Sequence, residues 1–174
     1  MNKTMLLAAL AAALIFAGAA YGQNEPQATD LNKAVVDTVM GIGYYGVFDN
    51  ITYEVTGSEV TLAGQVHMAI TKSEAVRRVG RIKGVTKVND QIEVLPVSMN
   101  DDGLRMRLYR ALFGTADLYR YAQGMIPTIH IVVKNGRVAL EGIVSTTEDR
   151  RMAEIAVRGI PGVFSLKNNL RTEK

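Results

Sequence analysis

The chain has 174 residues, no cysteine and no tryptophan, and 20 basic against 17 acidic side chains for a net charge of +3. Without cysteine there are no disulfides, no thiolate metal ligands and no lipid-modified N-terminal cysteine. With acids interleaved among bases at this small net charge, the electrostatic footprint of a nucleic-acid-binding protein is absent, and no nucleic-acid partner is expected.

Asn2 and Lys3 give a short polar, basic start, Met5 to Gly18 is apolar, and Ala20-Tyr21-Gly22 places small residues on either side of a tyrosine, the pattern a secretory peptidase cuts. An apolar run of about 14 residues falls short of the ~20 needed to span a bilayer. The pattern predicts a signal peptide over residues 1–22, cleaved before Gln23, then a flexible polar segment over 23–30. Loss of Lys3 with the leader leaves +2, and the exported, soluble product is expected in the periplasm.

A helix over about residues 31–42 runs into Gly41-Ile-Gly-Tyr-Tyr-Gly46, which has the Gly-x-Gly-x-x-Gly spacing of a dinucleotide-binding turn. That turn must leave a strand and enter a helix inside a βαβ unit, whereas this one leaves a helix and runs towards a strand. Glu59 stands nearly where a ribose ligand would, but in a hairpin turn. The glycines are read as ending the helix and turning the chain, and no nucleotide or other small-molecule substrate is expected.

Ile51 to Val55 and Val60 to Val66 alternate apolar and polar residues around Thr56-Gly57-Ser58, which predicts a hairpin. Ala75, Val76, Val79 and Ile82 stand at helical spacing within Thr71 to Lys83, and Gly84 is placed to end that helix in a left-handed cap. A strand over 85–94 follows, then the short linker Leu95-Pro96-Val97-Ser98.

Beyond the linker the same order returns. Shifting the chain by 78 positions lays residues 51–93 on 129–171 without a gap, with identities that include Val60/Val138, Leu62/Leu140, Gly64/Gly142, Val66/Val144, Ala75/Ala153, Val79/Val157 and Gly84/Gly162. The matches are almost all apolar or glycine, the residues that decide a core and its turns, so one fold is used twice. The second copy has a helix over 102–113, a hairpin turning at Asn135-Gly136, a helix over 146–160 opened by Ser145-Thr146-Thr147-Glu148, and a strand over 163–170. It also has an extra stretch, Thr115 to Met125. The fold class is α+β: two tandem domains, 31–95 and 100–174 joined by 96–99, each helix-strand-strand-helix-strand with a three-stranded mixed sheet covered by two helices.

The repeated Val60-Thr-Leu-Ala-Gly-Gln-Val66 with Gly84-Val85, and Val138-Ala-Leu-Glu-Gly-Ile-Val144 with Gly162-Val163, resembles the BON domain. The resemblance covers nearly all of the chain beyond the leader. It implies no catalytic motif and no cofactor. What it implies instead is binding to membranes, mostly anionic phospholipid, and support of the cell envelope under stress, osmotic stress included.

The charges lean the same way. Residues 31–95 carry seven basic and seven acidic side chains, and residues 100–174 twelve and eight. On a wheel at 100° per residue, Leu104, Leu108, Ala111 and Leu112 form a stripe that should pack on the sheet. Met106, Tyr109 and Phe113 form a second stripe, almost opposite, bordered by Arg105 and Arg110, with Tyr119, Arg120 and Tyr121 able to extend it. Such a stripe either packs against the first domain or the extra segment, or serves as an interfacial surface with aromatic rings at headgroup level and guanidinium groups on phosphate.

Other candidates carry less. His67 and His130 belong to no shared motif and lack the carboxylates a metal site needs. Glu148 to Arg151 suits the first turns of a helix, and Arg77, Arg78, Arg81, Lys83 and Lys87 suit a helix C-terminus. Ser73, Ser145 and Ser165 lack a nucleophile motif. The reading is a non-catalytic periplasmic protein that binds anionic membrane surfaces peripherally through Arg105, Met106, Tyr109, Arg110, Phe113 and Tyr119, with an interaction scaffold or chaperone-like factor for envelope proteins as the alternative.

Overall fold

The computed structural model describes residues 28–123 and 127–173. The expected signal peptide, most of the polar segment after it and the end of the extra stretch lie outside the described residues. No described helix is long and apolar enough to cross a membrane.

The first unit runs α1 (Ala28–Met40), β1 (Asn50–Thr56), β2 (Glu59–Val66), α2 (Ala69–Val79) and β3 (Lys87–Val94). β2 is the centre of a three-stranded sheet, antiparallel to β1 and parallel to β3. Its alternation sends Val60, Leu62 and Val66 to one face, where Val35 and Val39 of α1, Ala75 and Val79 of α2 and Ile92 of β3 close over them. Both helices therefore cover the same face of the sheet, and the 3.6-residue spacing of their small β-branched and alanine residues lets them sit close.

The second unit repeats the plan with α3 (Met99–Phe113), β4 (Ile129–Lys134), β5 (Arg137–Val144), α5 (Thr147–Arg158) and β6 (Ser165–Asn168). Ser98 and Thr146 each accept a hydrogen bond from the third backbone amide ahead and so open α3 and α5. Asn135 (φ 52°) and Gly136 (φ 71°) make the tight hairpin turn.

Three features differ from the sequence expectations. First, α2 and α5 end at Val79 and Arg158, before Gly84 and Gly162. Short turns carry the chain on, closed by Ile82 N–H to Val79 O and Val85 N–H to Ile82 O, and by their counterparts at Ile160 and Val163. The glycines, at φ 98° and 97°, turn the chain into the last strand and cap no helix. Second, the last strand of the second sheet is split. Asn169 N–H bonds Leu140 O and Leu170 N–H bonds its neighbour Asn168 Oδ1, a kink that drives Leu170 into the core. A short β7 (Arg171–Thr172) then pairs with β5, giving a fourth strand. Third, the extra stretch folds as α4 (Ala116–Tyr119) and a single 3-10 turn, Arg120–Ala122. It buries Leu118 and Tyr121 in the second core.

Candidate functional site

α3 separates its predicted stripe into an inner and an outer part. Arg105 is only 1% exposed. Its guanidinium donates to Asp102 Oδ1 at 2.5 Å and to the Val133 carbonyl at 2.7 Å, and its Nε makes no hydrogen bond among the described residues. It pins the helix to β4 and cannot meet a headgroup, which corrects its place at the rim of the stripe. Phe113, 6% exposed, belongs to the second core. Tyr109 stacks edge-on to Phe113, with ring centres 5.1 Å apart, and to Phe48 of the first unit, 6.4 Å away. The aromatic end of the stripe is therefore packed, which settles its part in favour of the first of the two alternatives. Met106, Arg110 and Tyr119 remain exposed.

The covering element is the chain between α1 and β1, the continuation of the Gly41–Gly46 run. Tyr45 sits in the first core and its hydroxyl meets the Ile51 N–H at 3.4 Å. Val47 and Phe48 then pack against the second core, and the Val47 carbonyl accepts the Ile131 N–H at 2.7 Å. Asp49, 2% exposed, accepts the backbone N–H groups of Gly46 at 2.9 Å and His67 at 2.7 Å, which fixes the loop. Burial pushes its carboxyl above the usual carboxylate range, opposed by those amides and by the charges of His67 and His130.

Both histidines of the chain stand at this junction. His130 donates from Nδ1 to the Gly46 carbonyl at 3.2 Å, an acceptor that fixes the tautomer, and its ring lies 5.5 Å from Tyr45. Burial holds it below its ordinary value of 6.5. His67 Nε2 is 3.1 Å from Asp102 Oδ1, and its ring meets Phe48 edge-on. A surface pair, Lys134 to Glu93 at 2.5 Å, also crosses between the units. Periodicity could not reveal this junction, because the loop lies where the two copies diverge in sequence.

Outside the junction, α3 presents a different face. Met99, Gly103, Met106 and Arg110 recur at intervals of four, three and four, one line along the helix. Met99 is 90% exposed, and Phe164, 83% exposed, stands across a shallow hollow from it, with Gly103, Arg107 and Gly136 between. Arg107 donates to the Pro161 carbonyl at 3.2 Å. Arg107, Arg110 and Arg137 are exposed and make no ion pair among the described residues. Met99 and Phe164 thus flank Arg107 at an exposed hollow, Met106 and Arg110 continue the same exposed line of α3, and Arg137 is exposed beside Gly136 of the hollow. Met99 and Phe164 escaped the sequence reading. The helix was started at 102, three residues short, and Phe164 was absorbed into a strand that begins at Ser165.

A cleft of about 1110 Å³ separates β1 from β4 and β5, with Met40, Tyr53, His130, Arg120, Glu141 and Ile143 in its walls. The described residues contain no group of three His, Asp or Glu able to hold a metal ion. The basic cluster of α2 is partly self-paired, with Arg77 and Arg78 both bonded to Glu74.

The family comparison agrees with this two-domain architecture. The BON domain family model matches the chain twice, over residues 27–96 and 100–174. The osmotically-inducible protein Y of Escherichia coli (strain K12) is 26% identical over 198 aligned positions, covering 99% of this chain and 96% of its own. Among solved structures, the C-terminal domain of CdsD, a structural protein of the type III secretion system of Chlamydia trachomatis, aligns at 13% identity and a TM-score of 0.29. The alignment covers 83% of this chain and 98% of that one.

Proposed function

The chain belongs to the BON domain family, and from that premise we propose that it is an exported, non-catalytic periplasmic protein that supports the cell envelope under osmotic stress by binding anionic phospholipid surfaces peripherally. The name of its Escherichia coli relative supports the stress role. The observation that carries the membrane reading is the exposed pair Met99 and Phe164 around Arg107, with Met106 and Arg110 exposed along the same line of α3 and Arg137 exposed beside the hollow's Gly136. Methionine and phenylalanine side chains enter the interfacial layer while guanidinium groups pair with phosphate. Each cation near an anionic surface contributes on the order of 1 kcal/mol, so three give a weak, reversible and salt-sensitive attachment.

The test is co-sedimentation of the mature protein with liposomes, with and without phosphatidylglycerol, at low and moderate salt. Binding is expected only with the anionic lipid, weaker at moderate salt, and lost in Arg107→Glu/Arg110→Glu and in Phe164→Ser. Arg105→Glu is unsuitable, because it would place a carboxylate against the Val133 carbonyl inside the fold. Failure to bind any liposome would sink the lipid reading and leave these exposed residues as a protein-contact surface.

A further inference from the structure

We propose that the first domain is an acid-released cover over the aromatic end of α3, and that protonation of His130 undocks the loop at 42–49 and exposes Val47, Phe48, Tyr109 and Phe113. This inference stands independently of the lipid reading.

Among the described residues, His67 with Asp102 and Lys134 with Glu93 join the domains at half-exposed pairs, whereas the buried contacts through Gly46, Val47 and Phe48 lie on one loop. Phe48 fills the space over Tyr109, and the Val47 carbonyl takes the outward amide of Ile131 on the edge of the second sheet. His130, the residue before Ile131 in β4, ties the Gly46 carbonyl. The groups that face it are Tyr45, Gly46 and Asp49 from the loop, and Glu141 across the β4–β5 ladder. Arg120, Arg171 and Glu173 line the same cleft.

The sign follows from burial. A docked imidazole is buried, and desolvation holds it below 6.5, in spite of the Gly46 hydrogen bond and the neighbouring Asp49 and Glu141 charges, which favour the proton. An undocked imidazole faces water and returns to its ordinary value. The docked state thus binds the proton less readily, and its advantage is complete above about 6.5. As pH falls below that value, docking weakens by up to tenfold per pH unit until the docked value is passed. His67 and Asp102 act in the opposite direction, since their attraction is ionic only when the imidazole is protonated. That pair is partly exposed, with side chains 36% and 48% accessible, so water screens it and the buried His130 prevails.

The chain has no cysteine, so Ser73→Cys and Ile155→Cys, both exposed and on α2 and α5, give two unique spin labels on the mature protein. Pulsed electron resonance should show one narrow distance at pH 8 and a broad, longer component that grows reversibly below about pH 6.5. Far-UV circular dichroism should stay constant over that range. His130→Gln keeps an N–H donor for Gly46 without a titrating charge and should remove the broad component, whereas His67→Gln should leave it. The wild type supplies a second check: the midpoint of broadening should follow the proton NMR titration of His130. A distribution that stays narrow to pH 5 overturns the proposal, as does broadening that persists in His130→Gln, tracks His67, or comes with loss of secondary structure.

Discussion

Gly64 and Gly142 do the same work in both halves. Each stands in the central strand at φ 111° and 116°, where the β1 and β4 sides press close: a Cβ would lie 2.1 Å from the Asn50 carbonyl oxygen and 2.0 Å from that of Thr128. Neither oxygen can retreat, because it belongs to the backbone entering a paired strand. Alanine at either position combines backbone strain with a collision, and a loss on the order of 3 kcal/mol is expected in urea denaturation. A loss below about 1 kcal/mol would mean that the entering strand moves freely. These glycines were visible in the sequence as paired identities, because the steric need is local and recurs. Arg105 shows the opposite case. Its position on the helical wheel lies near Leu112, and it is drawn inside by the Val133 carbonyl, a backbone acceptor that no spacing in the sequence announces.

At the scale of elements, the order helix, strand, strand, helix, strand was legible in each copy, since it rests on periodicities of 2 and 3.6 and on turn residues. The extra stretch was not, because it is held by tertiary contacts. Asp149, buried at the start of α5, accepts hydrogen bonds from the Thr146 and Tyr121 hydroxyls at 2.6 and 2.9 Å, and from Arg120 at 2.7 Å. Tyr121 in turn accepts the Ser145 N–H at 2.8 Å. Burial pushes the Asp149 carboxyl up, but the two hydroxyls and the Arg120 charge outweigh it and hold it below its ordinary 3.8. A carboxylate held low in the fold stabilises above its unfolded value and loses that contribution as pH falls through the folded one. Arg120 is half-exposed, so the hydroxyls matter more than the ion pair. Asp149→Asn should therefore cost about 1–3 kcal/mol at pH 7. The gap between variant and wild type should close as pH falls below the ordinary value of 3.8 and through the lower folded one. Urea midpoints for both proteins across that range decide it, and a gap that is independent of pH would assign the cost to packing instead.

For the whole molecule, the repeat concealed the junction. Aligning the copies brings out what they share, whereas the docking loop lies between α1 and β1, where they differ: the first copy extends Val47 and Phe48 into its neighbour, and the second turns Leu118 and Tyr121 back into itself. Two domains that share one packed aromatic contact unfold together when the contact is worth more than the difference between their own stabilities. Phe48 is half-buried among His67, Tyr109 and the second core, so its truncation should remove about 2 kcal/mol, roughly half the cost of emptying a full phenylalanine site. The Lys134 to Glu93 pair crosses the same junction at the surface, with side chains 48% and 41% accessible, and its loss should change stability by less than about 0.5 kcal/mol. Scanning calorimetry at pH 7.5 should accordingly show one transition for the wild type and for Lys134→Ala, and two for Phe48→Ala. Two transitions already in the wild type, unmoved by Phe48→Ala, would mean that the aromatic contact does not couple the unfolding of the two domains.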